Sequence, residues 1–432
     1  MILRYASQDI SRIWRQENKF ELFLEVELAL LKQMELRGNW KIPSGTSDAM
    51  RKLTSINTKR ISEIENDVGH DIVAFCRHIE EQLPNEIAKY FHFGATSSDI
   101  ADTALAIQVR NSIKVILRDW DVLDVAFENL INRSHGVLCA GRTHGQIGEP
   151  ILLAQKWWGH HLEFKRRRKE IEEYLLSDIR GKLSGAMGNY TIIPPVVELL
   201  ALKELGIERD DASTQIVPRD RLAKLISIGS LYASALERFC SEIRHLSRTE
   251  VGEVSEGFKK GQTGSSTMPH KKNPISSENL TGIARVMRSH NSIALENIVT
   301  LHERDISHSS TERLYLPDHM ELWSYSIKRL TGIIDRLEIN GDVMARNLTK
   351  NPHIASSVYL HHAISELGFD RSYAYEAIQS ASFEFGNTSF EEFQIACADK
   401  LGVGIDSLPR IDMKEMIEHY SRVFIELREL SA

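Results

Sequence analysis

One uninterrupted stretch of the chain constrains its fold more than any other feature. From Ala95 to His135 the sequence contains neither glycine nor proline. If Ser98 or Asp99 caps this stretch, the helix runs for about 35 residues and, at ~1.5 Å per residue, exceeds ~50 Å. A helix of that length favours an elongated bundle over a compact globule. Its apolar face is predicted from residues recurring at steps of three and four, namely Ile113, Ile116, Trp120, Leu123, Phe127 and Leu130.

Four further segments predict long helices of the same kind. The clearest has the same apolar spacing from Leu225 to Leu246 and no proline before Pro269. Proline is tolerated in the first turn of a helix, so prolines help to place the others. The four helices are predicted after Pro218, from Pro150 to before Gly181, from Pro274, and over the region after Pro317.

Composition agrees with a helical protein, because only 25 glycines and 11 prolines occur among 432 residues. We therefore predict an all-α fold with three helical domains and a central long-helix bundle. Before the bundle, Phe20 to Leu36 reads as a buried helix ending at Gly38. The predicted domains are an N-terminal helical domain at 1–110, a central long-helix bundle at 111–348 and a C-terminal helical domain at 349–432.

Charge and cysteine usage exclude several classes of partner. The formal net charge is −7, and the basic run 165–169 is followed at once by glutamates, which is typical of a solvated helix face. The four cysteines form no C-x-x-C pair, the first residues given lack the apolar region of a signal peptide, and no apolar run reaches the length of a membrane span. We expect a cytoplasmic protein that binds neither nucleic acid nor membrane.

Common cofactor and nucleophile motifs are absent from the sequence, including G-x-G-x-x-G, G-x-x-x-x-G-K-[ST] and G-x-S-x-G. His302 and His308 lie six apart, whereas a metallopeptidase helix needs histidines at i and i+4. We therefore expect no cofactor and no metal.

The segment 261–274 joins two predicted long helices and is rich in small and hydroxyl-bearing residues. It carries Lys271 next to a predicted helix start at Asn273 and Pro274. Free amides at a helix N-terminus together with a lysine form a site for an anion, or for negative charge that develops during a reaction. A flexible solvent loop explains the segment equally well on composition alone.

Three further clusters are candidates for chemistry. His144 stands between glycines at 141–145, and histidine is the usual residue for acid–base work near neutral pH. Hydroxyls at 96–98 precede the longest helix, where ordinary capping is the simpler explanation. The segment 302–313 has two arginines and several hydroxyls, which suit a phosphate, although a structural ion-pair network is nearly as plausible.

Taken together, these segments resemble the fumarase/aspartase superfamily over essentially the whole chain. Its three characteristic regions are matched at 96–99, 141–145 and 264–273, and the segment 302–313 is similar to the branch that cleaves adenylosuccinate. The resemblance implies β-elimination of fumarate from adenylosuccinate and from the succinyl-carboxamide intermediate of purine synthesis. It also implies a homotetramer in which three subunits contribute to each active site.

Residue roles follow from the same resemblance. Ser265 is implied as the general base and His144 as the general acid. Lys271 and Asn273 are implied to hold the carboxylate on which charge develops. The remaining implied substrate-binding residues are Arg4, Tyr5, His70, Asp71, Thr96, Ser97, Gln215, Ser266, Asn279, Arg304, Ser309, Ser310 and Arg313.

One position departs from the family pattern. An arginine usually precedes the His70–Asp71 pair, whereas this sequence has Gly69. We expect the phosphate contact of that arginine to be weakened or taken over by another cation. The alternatives to this assignment are a relative acting on another succinyl or carboxymuconate compound, and a catalytically silent helical scaffold.

Overall fold

A computed structural model describes residues 2–38, 40–257, 267–268, 270–385 and 388–431. Helices account for 69% of the structure, and the strands are short. The prediction of an all-α fold is confirmed. No helix in the described ranges is long and apolar enough to cross a membrane.

The chain begins with a 3₁₀ turn at Leu3–Tyr5 and a group of helices that includes the predicted buried helix. That helix, α2, ends at Gly38 as expected, and the Gly38 amide donates to the carbonyl of Met34. The helices of this group are α1 (Gln8–Trp14), α2 (Gln16–Arg37), α3 (Thr46–Leu53), α4 (Thr58–Val68), α5 (Asp71–Glu80) and α6 (Asn85–Ala88).

The long helices follow, and the longest has 37 residues, close to the predicted length. All six residues of its predicted apolar face are fully buried. The helices of this part are α7 (Ser97–Arg133), α8 (Leu153–Ser177), the short α9 (Pro195–Glu204), α10 (Asp220–Leu246), α11 (Ile275–Glu296) and α12 (Ser307–Arg336).

Shorter helices return towards the C-terminus, again as predicted from glycine and proline punctuation. They are α13 (Gly341–Thr349), α14 (Ser356–Ser365), α15 (Arg371–Phe385), α16 (Phe390–Leu401) and α17 (Met413–Leu430), with 3₁₀ turns at Pro352–Ala355 and Ile405–Ser407.

Three two-stranded sheets complete the described structure. The largest is an antiparallel hairpin in which Leu138 faces Leu152 and Thr143 faces Gln146. The strands are β1 (Leu138–Thr143) paired with β2 (Gln146–Leu152), β3 (Arg180–Gly181) with β4 (Glu208–Arg209), and β5 (Val254–Ser255) with β6 (Glu338–Ile339).

The chain divides into two compact units, and each of the five long helices contributes residues to both. Unit 1 comprises Met1–Asp121, Lys165–Ser234 and Gly282–Lys328. Unit 2 comprises Val122–Phe164, Ala235–Thr281 and Arg329–Ala432. The three-domain division predicted from the sequence stays a prediction.

Aromatic side chains from successive long helices form the core of unit 1. Trp120 of α7, Tyr232 of α10 and Trp323 of α12 are fully buried, and their ring centroids lie 5.3 to 6.5 Å apart. Contacts of this kind add about 0.5–1.5 kcal/mol per pair beyond the burial of apolar area. They fix α7, α10 and α12 against one another within this unit.

Unit 2 has an equivalent aromatic core. Phe127 of α7 lies 5.2 Å from Phe164 of α8 and 5.3 Å from Phe239 of α10, measured between ring centroids. A separate apolar cluster, centred on Tyr359 and Phe393, holds α14, α15 and α16 together. The predicted helix spacing therefore describes a real packing seam in both units.

One predicted helix start was wrong. Pro150 lies in strand β2 opposite Ala140, and α8 begins only at Leu153. The helix predicted over the region after Pro317 is present as α12, but it begins earlier, at Ser307, so Pro317 lies inside it. Proline is tolerated in a first helical turn and at the edge of a sheet, so its presence alone does not distinguish the two.

Candidate active site

A cavity of about 400 Å³ lies within unit 1, and six of the predicted substrate-binding residues line it. They come from separate elements: the N-terminus of α5, the start of α7, and the first turns of α12 with the loop before it. The fold thus brings together sequence positions more than 200 residues apart. The predicted residues at the cavity are His70, Asp71, Ser97, Arg304, Ser309 and Arg313.

One wall of the cavity is an ion-pair cluster centred on Asp71. Its Oδ2 lies 2.7 Å from Arg313 Nη2 and 3.2 Å from Lys19 Nζ. Burial raises the pKa of Asp71, but the charges of Lys19 and Arg313 outweigh it and leave the pKa below its usual value. Asp71 is therefore ionised at neutral pH and holds two cations at the edge of the cavity.

Lys19 was missed by the sequence analysis. It lies on α2, within a helix that reads as core, and nothing in its local sequence marks it as a site residue. It lines the same cavity as Gly69, the position at which the family usually has arginine. Gly69 adopts a left-handed φ of 67° as it ends α4, a conformation that costs glycine little.

The opposite wall is a buried network around Arg219, which the sequence analysis also missed. Arg219 donates to both oxygens of Asp102, over 2.6 and 2.9 Å, and to both oxygens of Glu312, over 2.9 and 3.3 Å. Burial raises the pKa of Asp102, but the charge and hydrogen bonds of Arg219 lower it by a larger amount, so the pKa lies below its usual value. The network joins α7 to α12 beneath the cavity.

His308 belongs to this network and lines the cavity. Its Nδ1 lies 3.2 Å from Glu312 Oε2 and 3.2 Å from Arg219 Nη2. The side chain is 3% exposed, and its Nε2 is buried without a hydrogen-bond partner in the described part of the chain. The sequence analysis weighed His308 only as a metal ligand and dismissed it for its spacing.

Arg304 and Gln215 meet beside the cavity. Arg304 Nη1 donates to Gln215 Oε1 over 3.2 Å, and Gln215 Nε2 donates to the carbonyl of Ala186 over 3.1 Å. The Nε of Arg304 is buried without a partner among the described residues. A guanidinium with an unused N–H at a cavity wall is suited to bind an oxyanion.

The start of α7 is held by a fully buried ion pair. Asp99 accepts from the amide of Thr96 over 2.8 Å and from Lys182 Nζ, while Lys182 also donates to the carbonyl of Gly185 over 3.1 Å. Both charged side chains are 0% exposed. The predicted residues Thr96 and Ser97 therefore stand on a turn that is fixed from inside the protein.

In unit 2, His144 is displayed at the tip of the β1–β2 hairpin. It is exposed and adopts a φ of 54°, followed by Gly145 at 77°. Two successive left-handed residues are what a two-residue hairpin loop of type I′ requires. A non-glycine residue in this conformation is strained, and strain of this kind clusters at functional positions.

The hairpin is anchored close to its tip by Arg142, which pairs with Ile147 next to the turn. Its Nη2 and Nη1 donate to the two oxygens of Glu253 over 2.6 and 3.0 Å, and Glu253 is fully buried. Asn347 Nδ2 donates to the same carboxylate over 2.9 Å. Arg142 is thus committed to positioning the hairpin that carries His144, and Glu253 is a positioning residue that sequence reasoning missed.

Ser265 and Ser266 lie outside the described residues, but the helix that follows them is described. The expectation of free amides at the start of α11 was wrong. Glu256 accepts from the amides of Ser276 and Ser277 over 3.0 and 2.6 Å, so a carboxylate of the chain already satisfies them. Lys271 remains exposed near this helix start, and Asn273 is half-buried.

The other predicted residues fall at scattered positions. Arg4 and Tyr5 form the first 3₁₀ turn, where Tyr5 packs edge-on against Tyr325 with ring centroids 5.3 Å apart. Ser310 is exposed on α12 and donates to the carbonyl of Ser307. Asn279 lies half-buried on α11 in unit 2. The structure groups none of these four with the residues of the unit 1 cavity.

Within the described ranges, one group of side chains could in principle hold a metal: Glu27, Cys76 and His92. His92 Nδ1 and Glu27 Oε1 lie 2.5 Å apart, which is a charge-assisted hydrogen bond and is shorter than the spacing of two ligands on one ion. Burial and the charge of Glu27 raise the pKa of Cys76 above its usual value, which disfavours the thiolate that a metal needs.

Comparison with known proteins gives the class. The sequence model of a family described as Lyase matches residues 7–288. A solved fumarate lyase from Mesorhizobium sp. BNC1 is 21% identical, with a TM-score of 0.82 over 96% of this chain and 98% of that one, and so shares the fold. The class is therefore a lyase of fumarate lyase architecture.

Closer relatives narrow the assignment. The adenylosuccinate lyase of Aquifex aeolicus is 41% identical over 89% of this chain and 88% of its own length. That of Synechocystis sp. is 38% identical over 98% of this chain and 100% of its own length. The chain belongs to the adenylosuccinate lyase family of lyases.

Proposed function

We propose that this enzyme eliminates fumarate from adenylosuccinate to give AMP, and from the succinyl-carboxamide ribotide to give the aminoimidazole carboxamide ribotide. Both reactions break a carbon–nitrogen bond after loss of a proton next to a carboxylate. The observation that carries the proposal is the unit 1 cavity, because Arg304, Arg313 and Ser309 supply cationic and hydroxyl groups for a phosphate at the start of α12.

In this proposal Ser265 is the general base and His144 is the general acid that protonates the leaving nitrogen. His144 is exposed at the tip of the hairpin. This supports the role, because a general acid must be able to reach the atom of the substrate that it protonates. Lys271 and Asn273 hold the carboxylate that gains charge as the proton leaves.

The succinyl part of the substrate is held by Thr96, Ser97 and Gln215, with Ser266 near the carboxylate. The nucleotide is held by Arg4, Tyr5, Arg304, Ser309 and Arg313, with His70, Asp71, Ser310 and Asn279 nearby. The contacts of Gln215 support this division. Its side chain donates to the carbonyl of Ala186 and accepts from Arg304, which lines the cavity.

We also propose that the enzyme works as a cytoplasmic homotetramer with shared active sites. Many apolar side chains are exposed on the isolated chain, including Val122, Val125 and Leu295, which indicates surface that a second copy would cover.

The direct experiment mixes purified protein with adenylosuccinate and follows the ultraviolet spectrum for conversion to AMP. Loss of the adenylosuccinate signal, with fumarate recovered in equal amount, is the expected result. No spectral change, together with cleavage of argininosuccinate, would contradict the proposal and assign another substrate within the superfamily.

The proposed base is tested by Ser265→Ala. Turnover should fall by several orders of magnitude while adenylosuccinate still binds, because a base acts on the barrier more than on the ground state. The matched control is Ser372→Ala, an exposed serine on α15 that has no proposed role in binding or catalysis. Unchanged turnover in Ser265→Ala would place the base elsewhere.

A further inference from the structure

The hydrogen bonds of Arg219 bear on which nitrogen of His308 carries a proton. Nη1 donates to Asp102 Oδ2 and to the carbonyl of Val217, Nη2 donates to Asp102 Oδ1 and Glu312 Oε2, and Nε donates to Glu312 Oε1. A guanidinium has five N–H hydrogens, and the second hydrogen of Nη2 has two acceptors within reach, since Nη2 lies 3.2 Å from His308 Nδ1 and 3.3 Å from Glu312 Oε2. In the tautomer in which Nδ1 accepts from Arg219, the ring carries its own hydrogen at Nε2.

His308 lines the cavity, and its Nε2 is buried without a hydrogen-bond partner in the described part of the chain. A buried N–H left unsatisfied costs about 1–3 kcal/mol, so such groups usually have a partner in the working state. Arg304 has the same feature at its Nε and lines the same cavity.

We propose that His308 is a substrate-binding residue whose Nε2–H donates a hydrogen bond to a phosphate oxygen of the bound nucleotide. The proposal rests on the proposed function and adds a residue to it. The Asp102–Arg219–Glu312 network is then the device that orients the ring. Phosphate is the matching acceptor because its oxygens accept only, and because Arg304 and Arg313 line the same cavity.

Two conservative variants separate ligand binding from a structural role. His308→Asn places an amide near the position of Nδ1 and so keeps the contact with the network but loses the group at Nε2. His308→Gln places an amide N–H near the position of Nε2 and so keeps the donor to the ligand. A purely structural histidine would be replaced better by asparagine, and a ligand-binding one by glutamine.

The experiment measures the dissociation constants of AMP and adenosine by calorimetry for the full-length wild type and both variants. A hydrogen bond to a charged group predicts that His308→Asn binds AMP about tenfold to a hundredfold more weakly. His308→Gln should stay within about threefold of the wild type, and adenosine, which has no phosphate, should bind all three equally.

His319 provides the matched control. It is a buried histidine on the same helix, its Nδ1 contacts His290 over 3.3 Å, and its Nε2 also lacks a partner among the described residues, but it does not line the cavity. His319→Asn and His319→Gln report the general cost of changing such a residue, with thermal unfolding measured for all four variants. Neither should weaken AMP binding selectively over adenosine.

The outcomes distinguish the two proposals. If the wild type neither binds AMP nor cleaves adenylosuccinate, the proposed function fails and the role of His308 fails with it. If the wild type does both and His308→Asn binds AMP normally, only the role of His308 is overturned. An equal loss of AMP and adenosine affinity, or better retention in asparagine than in glutamine, would also overturn it.

Discussion

The buried pair Lys182–Asp99 makes a strong prediction for stability. In Lys182→Met the Asp99 carboxylate stays in a site with 0% exposure and, among the described residues, keeps the amides of Thr96 and Gly185 as its hydrogen-bond donors, at 2.8 and 3.3 Å. Removing one member of a buried pair typically costs about 3–5 kcal/mol, because the other charge is left uncompensated. The variant should therefore be strongly destabilised, although methionine fills a similar volume.

The size of the shift in melting temperature follows from chain length. At about 2.1 cal/mol/K of unfolding entropy per residue, 432 residues give about 0.9 kcal/mol/K. A loss of 3–5 kcal/mol then lowers Tm by about 3–6 °C. Differential scanning fluorimetry at fixed pH and protein concentration measures it, since oligomerisation makes Tm depend on concentration.

The double variant Lys182→Met/Asp99→Asn refines the test. Asparagine keeps an oxygen for the Thr96 amide and carries no charge, so the double variant should melt above Lys182→Met rather than below it. If the losses of the two single variants simply add, the charges are not coupled and the reasoning is wrong. A Tm of Lys182→Met within 1 °C of the wild type would refute it as well.

Three further predictions concern pH, loop anchoring and the missing arginine. Burial lowers the pKa of His160 to about 4, so the unfolded state binds the proton from about pH 6.5 downward and the folded state only near pH 4. The free energy of unfolding should therefore decrease by about 1.4 kcal/mol for each unit that the pH is lowered from about 6.5 to about 4. His160→Gln should flatten the slope of Tm against pH, and an unchanged slope would contradict this. Glu256→Ala should cost about 1–3 kcal/mol in denaturant unfolding, because two α11 amides, including that of Ser277, lose their acceptor, with Glu256→Gln retaining part of it. Lys19→Met should raise the KM for adenylosuccinate, and adding Gly69→Arg should restore part of it, because a Cβ at that position meets no atom within 4 Å while the φ of 67° strains any side chain there; no change in KM for either variant would show that neither position binds the phosphate.

Helices were predictable wherever a repeating local pattern decides the structure. The seam of α7 has one apolar residue per turn, and burial of that face is the only compact solution for it. Prolines were misleading because their effect depends on what surrounds them. Pro150 is compatible with a strand because a two-stranded hairpin leaves one side of each strand without a ladder partner.

Site residues were predictable where they fall in motifs and not where they act through partners distant in sequence. His70, Asp71, Arg304 and Arg313 do converge on one cavity, which no local pattern states. Glu256 illustrates the limit: sequence showed a helix start with free amides, and a carboxylate 20 residues earlier occupies them. Side-chain partners of this kind depend on tertiary folding.

The bond from Glu256 to the start of α11 has a consequence for the segment between them. It joins positions 256 and 276 through a side chain, so the intervening chain forms a closed ring whose ends are fixed whatever path the ring takes. Bringing together the ends of a flexible loop of this size costs about 3 kcal/mol in (3/2)RT ln n. The contact from Glu256 supplies that closure during folding, so both ends of the segment that carries the proposed base Ser265 are fixed before substrate binds.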